Sequence, residues 1–144
     1  MSKSTRLTID TDGGARGNPG PAAAGVYIVD EMNKPVYEIG HFLGFATNNE
    51  AEYQALLLAY EWLLAQKHEL DGVKQIEFRM DSEVIHRQLT GRYAVRHPVL
   101  KQLWRQVKQH EEALGRPVAY TRIPRAQNKQ ADRLVNQALD REEE

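Results

Sequence analysis

Apolar and polar residues alternate from Leu7 to Asp12: Leu7 and Ile9 face one way, Thr8 and Asp10 the other. That two-residue period predicts a strand. Ala22–Val29 and Val36–Leu43 read as two more, and the short polar link Asp30–Lys34 between them predicts antiparallel neighbours. Ala22-Ala23-Ala24-Gly25 is small for a strand, which lets another segment or a substrate come close. After Thr47 the apolar spacing changes to three and four. Thr47-Asn48-Asn49 should cap a helix reaching about Gln66, with Leu56, Tyr60, Leu63 and Leu64 on its apolar face. Asn49 and Glu52 are spaced as in a capping box. Gln75–Met80 is a fourth strand, and a right-handed crossover from that helix should set it parallel to its partner. Asp81-Ser82 caps a short helix ending near Gly91, and Pro98 opens a longer one to about Leu114. Val118–Ile123 is a fifth strand, Pro124–Gln127 a loop, and Asn128 can cap a last helix carrying Ala131, Leu134, Val135 and Ala138.

The fold class that follows is α/β, or α+β in layers. It has a mixed five-stranded sheet, three antiparallel N-terminal strands, and helices on the sheet faces. One domain is expected over residues 1–144, with 1–5 and 141–144 frayed. Within this frame one stretch stands apart. Asp12-Gly13-Gly14 should release the chain from strand geometry, and Asn18-Pro19-Gly20-Pro21 forces a second turn. A carboxylate is thereby expected where a rigid strand gives way to an open glycine-rich loop.

Composition narrows the chemistry. The chain has no cysteine, which excludes disulfides, thiolate metal sites and cysteine nucleophiles. No apolar run is long enough for a bilayer, so no membrane association and a cytoplasmic location are the default expectation. Net charge is −1, but its distribution is uneven. Val84–His110 holds no acid and carries Arg87, Arg92, Arg96, Lys101, Arg105 and Lys108, while acids gather at Glu50, Glu52, Asp81 and Glu83. Basic surface beside an acidic cluster suits a phosphate polymer held next to cations; a solvated helix face is the plainer alternative for half of those basic residues.

Four acids sit where an element begins or ends: Asp12, Glu52, Asp81 and Asp132. Each has a local explanation. Asp12 suits a β-turn, Glu52 a capping box, Asp81 a helix cap, and Asp132 the dipole of the last helix. Together with their neighbours they are similar to the type 1 ribonuclease H family. The residues that carry the likeness are Asp12-Gly13 with Gly17-Asn18-Pro19-Gly20, Thr47-Asn48-Asn49-Glu50-Ala51-Glu52, Asp81-Ser82, and Asn128 four before Asp132. The resemblance runs from Leu7 to about Ala138 and implies a ribonuclease H-like fold. It makes Asp12, Glu52, Asp81 and Asp132 the catalytic and metal-binding carboxylates. The implied cofactor is Mg²⁺, two ions per site, with Mn²⁺ as a substitute. Two such ions about 3.5–4 Å apart can bracket a phosphodiester, one activating water and the other stabilising the leaving 3′ oxygen.

The implied substrate is an RNA–DNA hybrid, with double-stranded RNA as a second candidate, and the implied state is a monomer without an obligate protein partner. Cleavage of the RNA strand would leave 5′-phosphate and 3′-hydroxyl ends. A reader of the 2′-hydroxyl is required, since that group marks RNA. By resemblance it is built from Asn18, Asn48, Asn49 and Glu52 with the backbone of Gly13 and Gly14, while Thr47 contacts a DNA-strand phosphate; His97, just before Pro98, is a candidate to join Thr47, with a structural role at the helix start as the alternative. Arg92 and Arg96 are expected to track phosphates, and Tyr93 is the exposed aromatic between them; Trp104 reads as core. Many family members carry a histidine in the loop before the last helix. Here Arg122 to Gln127 has none, and Arg122 or Arg125 could hold a phosphate instead. The long basic protrusion of some members is also absent. Two other readings stay open: a non-catalytic nucleic-acid-binding module, and a nucleotide binder using the glycine-rich loop, which matches neither common phosphate-loop pattern.

Overall fold

Five strands form one sheet in the order β3-β2-β1-β4-β5, seen in a computed structural model that describes residues 5–143. β1 (Arg6–Ala15), β2 (Gly20–Asp30) and β3 (Pro35–Ala46) make an antiparallel meander. α1 (Asn48–Ala65) crosses to β4 (Gln75–Met80), which lies parallel to β1 as its crossover predicts. α2 (Glu83–Leu89) and α3 (Pro98–Leu114) lead to β5 (Val118–Arg122), parallel to β4, and α4 (Lys129–Glu143) follows. A 3₁₀ turn at Lys67–Leu70, and another at Arg125–Gln127 within the expected loop, are additions to the sequence reading.

The core lies between the sheet and α1. Leu7, Ile9, Ile28 and Phe78 from the strands meet Tyr53, Leu56, Tyr60 and Leu63, all essentially without exposed surface. α3 covers the outer side of α1 with Leu100, Leu103 and Val107. α1 is therefore apolar around most of its circumference, as a helix sandwiched between two layers must be. A smaller cluster of Ala23, Val135, Ala138 and Leu139 seats α4 on the sheet.

Three expectations are corrected. First, β1 does not end at Asp12; Gly13, Gly14 and Ala15 remain paired with Ala24, Ala23 and Ala22. Gly13 is needed for close approach rather than for a turn. A Cβ there would lie 2.2 Å from the carbonyl carbon of Ala51 on α1. The turn comes later, at Gly17, whose φ is +92°. Second, the capping box of α1 is Thr47 with Glu50, not Asn49 with Glu52: Thr47 Oγ1 accepts from Glu50 N at 3.1 Å and Glu50 Oε1 from Thr47 N at 3.0 Å. Third, Arg141–Glu143 is helical rather than frayed. Thr5 is also held, its N–H donating to Glu31 Oε1 at 3.0 Å; the expectation of fraying at residues 1–4 and 144 falls outside the described residues.

Glycines also bring α4 down. Asp12 pairs with Gly25, and Gly25 with Gly40, in one row across the sheet. A Cβ at Gly25 would lie 2.3 Å from Ala131 O, and one at Gly40 2.3 Å from Leu134 O. The small run noticed at Ala22–Gly25 thus admits a helix, the one that carries Asp132.

Gly13→Ala should cost about 1–3 kcal/mol, because backbone rather than a flexible side chain must move. Gly72→Ala, where a Cβ would meet nothing within 4 Å, is the control and should be neutral or slightly stabilising. Urea unfolding of the two variants measures the difference; equal midpoints would mean that α1 does not depend on this contact.

Candidate active site

Each acid is placed by a different kind of anchor. Asp12 belongs to the central strand, and Asp81 directly follows β4 beside it. Glu52 lies beyond the first turn of α1, so Glu50 caps the helix and Glu52 is left for the cleft. Ser82, not Asp81, caps α2, its Oγ accepting from Ile85 N at 3.2 Å. Asp132 is in the first turn of α4.

These anchors converge. Asp12, Glu52 and Asp81 each offer a carboxylate oxygen, and the three atoms lie within 4.8 Å of one another. Asp132 stands outside that trio but lines the same open cleft of about 380 Å³, with Gly13, Gly14, Asn48, Arg16 and Arg125. Asp12 and Glu52 are only 8% and 7% exposed. Gly13 N donates to Glu52 Oε1 at 2.7 Å. Burial, then the charges of Asp81 and Asp132, push the Asp12 carboxyl from 3.8 up to about 7, against its hydrogen bonds to Glu52 and Gly13. Burial, and then Asp12 itself, also raise Glu52 well above the ordinary carboxylate range. Without a cation, the pair is best described as sharing a proton. All the ligand atoms on offer are hard oxygens, and a divalent cation would remove the repulsion, so the cluster fits such an ion.

Around the cluster, amides tie the loops to the helix. Asn18 Oδ1 accepts from Asn48 N at 2.9 Å, and Asn48 Oδ1 accepts from Ala15 N at 2.8 Å. Both carbonyl ends are thereby fixed inward, leaving the Nδ2 groups as donors. Arg16 lines the cleft but is ion-paired with Asp140 at 2.8 Å and with Glu143.

The other expected site residues are more scattered. Asn49 is half-buried on the first turn of α1. Arg122 is exposed at the end of β5 and does not line the cleft, whereas Arg125 does. Exposed Arg92 and Arg96 lie between α2 and α3, away from the cleft lining. His97 caps α3, its Nδ1 accepting from Leu100 N at 3.5 Å, which is the structural use of a histidine before a helix. Trp104 is half-buried against the core, donating to Gln88 O at 3.2 Å, and Tyr93 is 43% exposed under the Arg87 guanidinium.

Asn128, which the sequence offers as a cap and as part of the family motif, does not cap α4 with its side chain. Its Nδ2 instead donates to Thr11 O and Asp81 Oδ2, both at 2.9 Å. Sequence reasoning missed the pairing of Asp10 with Arg79, at 2.7 and 2.8 Å, two positions before Asp12 and Asp81 in the chain. Asp10 did carry a signal, as a carboxylate inside a strand, but its partner lies 69 positions away.

Comparison with known proteins decides the family. Residues 10–138 match the family described as reverse transcriptase-like. LC11-RNase H1, isolated from compost by a metagenomic approach, superposes with a TM-score of 0.92 at 41% identity, covering 97% of this chain and 99% of that one. The chain belongs to the type 1 ribonuclease H family. Its likeness to LC11-RNase H1 persists in that protein's complex with an RNA/DNA hybrid, with a TM-score of 0.89, 42% identity, and coverage of 96% and 99%. Ribonuclease HI of Halobacterium salinarum is 42% identical over 130 residues, or 90% of this chain. The bifunctional protein Rv2228c of Mycobacterium tuberculosis is 36% identical over 136 residues, or 94% of this chain. The chain spans 62% and 36% of the lengths of these two curated relatives. Among the described residues, no helix of this ribonuclease H fold is long and apolar enough to cross a membrane.

The raised acids have a consequence for stability. A folded carboxyl that titrates near 7 holds a proton that the unfolded chain releases near 3.8. Its contribution is complete below the unfolded value and is lost as pH rises through the folded one. In EDTA, the melting temperature should therefore fall more between pH 5 and about 7.5 for the unmutated protein than for Asp12→Asn. Millimolar Mg²⁺ should abolish the difference. Parallel profiles in EDTA would count against a proton held at Asp12.

Proposed function

We propose that this chain hydrolyses the RNA strand of RNA–DNA hybrids, giving 5′-phosphate and 3′-hydroxyl ends. The carrying observation is the convergence of the Asp12, Glu52 and Asp81 carboxylates in an open cleft. Asp12, Glu52, Asp81 and Asp132 would hold Mg²⁺, with two ions per site and Mn²⁺ as a substitute. When bound, the cations would supply activation of water and neutralisation of charge on the leaving oxygen.

The chain's own groups do the rest. Asp12 and Glu52 surrender their shared proton when the site is charged, which makes loading easier at higher pH. Arg125, at the cleft, holds the phosphate by charge-assisted hydrogen bonds and does not exchange its proton. The Nδ2 donors of Asn18 and Asn48 read 2′-hydroxyls, with Asn49, Glu52 and the backbone at Gly13 and Gly14 beside them. Thr47 keeps its hydroxyl proton for a DNA-strand phosphate while Oγ1 caps α1. Arg92, Arg96 and His97 extend the phosphate track along the α2–α3 connection, and Arg122 continues it beside Arg125. Water attacks phosphorus, the bond to the 3′ oxygen breaks, and RNA is selected through its 2′-hydroxyl. We assign the chain to act as a monomer in the cytoplasm.

Asp12→Asn keeps the side chain's shape but removes a charge from the centre of the cluster. Single-turnover cleavage should fall about 10³-fold or more, about 4 kcal/mol of transition-state stabilisation. Hybrid affinity on the same preparation should survive, since phosphate contacts lie elsewhere. Full activity in the variant would refute the assignment. Hybrid binding without cation-dependent cleavage by the unmutated protein would favour the binding-module reading.

A further inference from the structure

Asn128 has no exposed surface. Its Nδ2 reaches Thr11 O and Asp81 Oδ2, and its Oδ1 has no hydrogen-bond partner among the described residues. Those two acceptors fix the sense of the amide, because flipping it would set one carbonyl oxygen against another oxygen on each side. A buried acceptor without a donor is unfavourable, so the arrangement does not serve local stability alone. What it does achieve is a junction of three elements. Thr11 precedes Asp12 on β1, Asp81 follows β4, and Asn128 O accepts from Asp132 N at 3.2 Å on α4.

Asp81 needs such a partner. It follows the end of its strand, it is only half-buried, and its neighbours in the cluster are carboxylates that repel it. A donor on Oδ2 restrains the carboxylate and leaves the other oxygen for a ligand. We propose that Asn128 is a positioning residue: it holds the Asp81 carboxylate against Asp12 and thereby sets how tightly the cluster binds a divalent cation. This rests on the reading of the cluster as a cation site. Outer partners of ligating carboxylates commonly change metal affinity by about 10–100-fold.

The test is thermal unfolding of the full chain during titration with MgCl₂, with hybrid cleavage at the same concentrations as a second readout. Asn128→Ala should raise the Mg²⁺ concentration for half-maximal stabilisation by about 10–100-fold. The Mg²⁺ midpoint of cleavage should move by the same factor, and the rate should recover as Mg²⁺ is raised. Leu134→Ala, which truncates a buried apolar residue of the same helix, should lower the melting temperature without moving either midpoint. If Asn128→Ala does not fold, Asn128→Ser, which keeps one donor, should show a smaller shift of the same sign. An unchanged Mg²⁺ midpoint in a folded Asn128 variant would overturn the proposal. An unmutated protein that gains no stability from Mg²⁺ would overturn the cation reading itself, and with it this role.

Discussion

Carboxylates held together away from water are the constraint on which the rest of this chain depends. Asp12 and Glu52 are more than nine-tenths buried, and Asp81 and Asp132 stand beside them. Burial and mutual repulsion both oppose ionisation, and free side chains would move apart. Here the backbones do not allow it. Asp12 is fixed in the ladder of a central strand, Asp81 follows the parallel neighbour of that strand, and Glu52 and Asp132 ride on helices. The result is a site in which burial and neighbouring charge oppose ionisation of Asp12 and Glu52, an opposition that a divalent cation would offset.

The helices reach the acids because the sheet is cleared for them. Gly13 admits the backbone of α1 at Ala51, and Gly25 and Gly40 admit that of α4 at Ala131 and Leu134. Neighbouring strand residues point to opposite faces, so Gly13, packed under α1, and Gly14, which faces Val135 of α4, mark the two sides of one strand. Around this centre the loops are held by amides: Asn18 binds Asn48, Asn48 binds Ala15, and Asn128 joins β1 to Asp81. The contacts that set the site are thus polar and backbone-directed, while the apolar core between α1 and the sheet supplies the rigidity behind them.

Much of this was legible in the sequence, and the failures have physical causes. Strand and helix periods located every long element, and β4 and the start of α3 fell on their predicted limits because sharp local signals bound them: Asp81-Ser82 and Pro98. The end of β1 was misplaced because Gly13 and Gly14 look like turn residues; their purpose is a close approach to helices far along the chain. Thr47–Glu50 and Asn49–Glu52 both have capping-box spacing, and only the backbone start of α1 chooses between them. That choice matters, because it turns Glu52 from a cap into a cleft residue. Each acid alone had a local explanation, and their convergence came from resemblance rather than from periodicity. Asn128 was read locally too, since its side-chain partners Thr11 and Asp81 lie 117 and 47 positions away.

This cleft is expected to use divalent cations to cut RNA, and only RNA, within a hybrid. The most direct measurement uses a DNA duplex with a short run of ribonucleotides in one labelled strand, incubated with Mg²⁺ or with EDTA, beside an all-DNA duplex. Mg²⁺-dependent cuts are expected within or beside the ribonucleotide run, ending in 3′-hydroxyl and 5′-phosphate, with the all-DNA duplex left intact. Cleavage of the all-DNA duplex at a similar rate, or cleavage that persists in EDTA, would contradict this expectation.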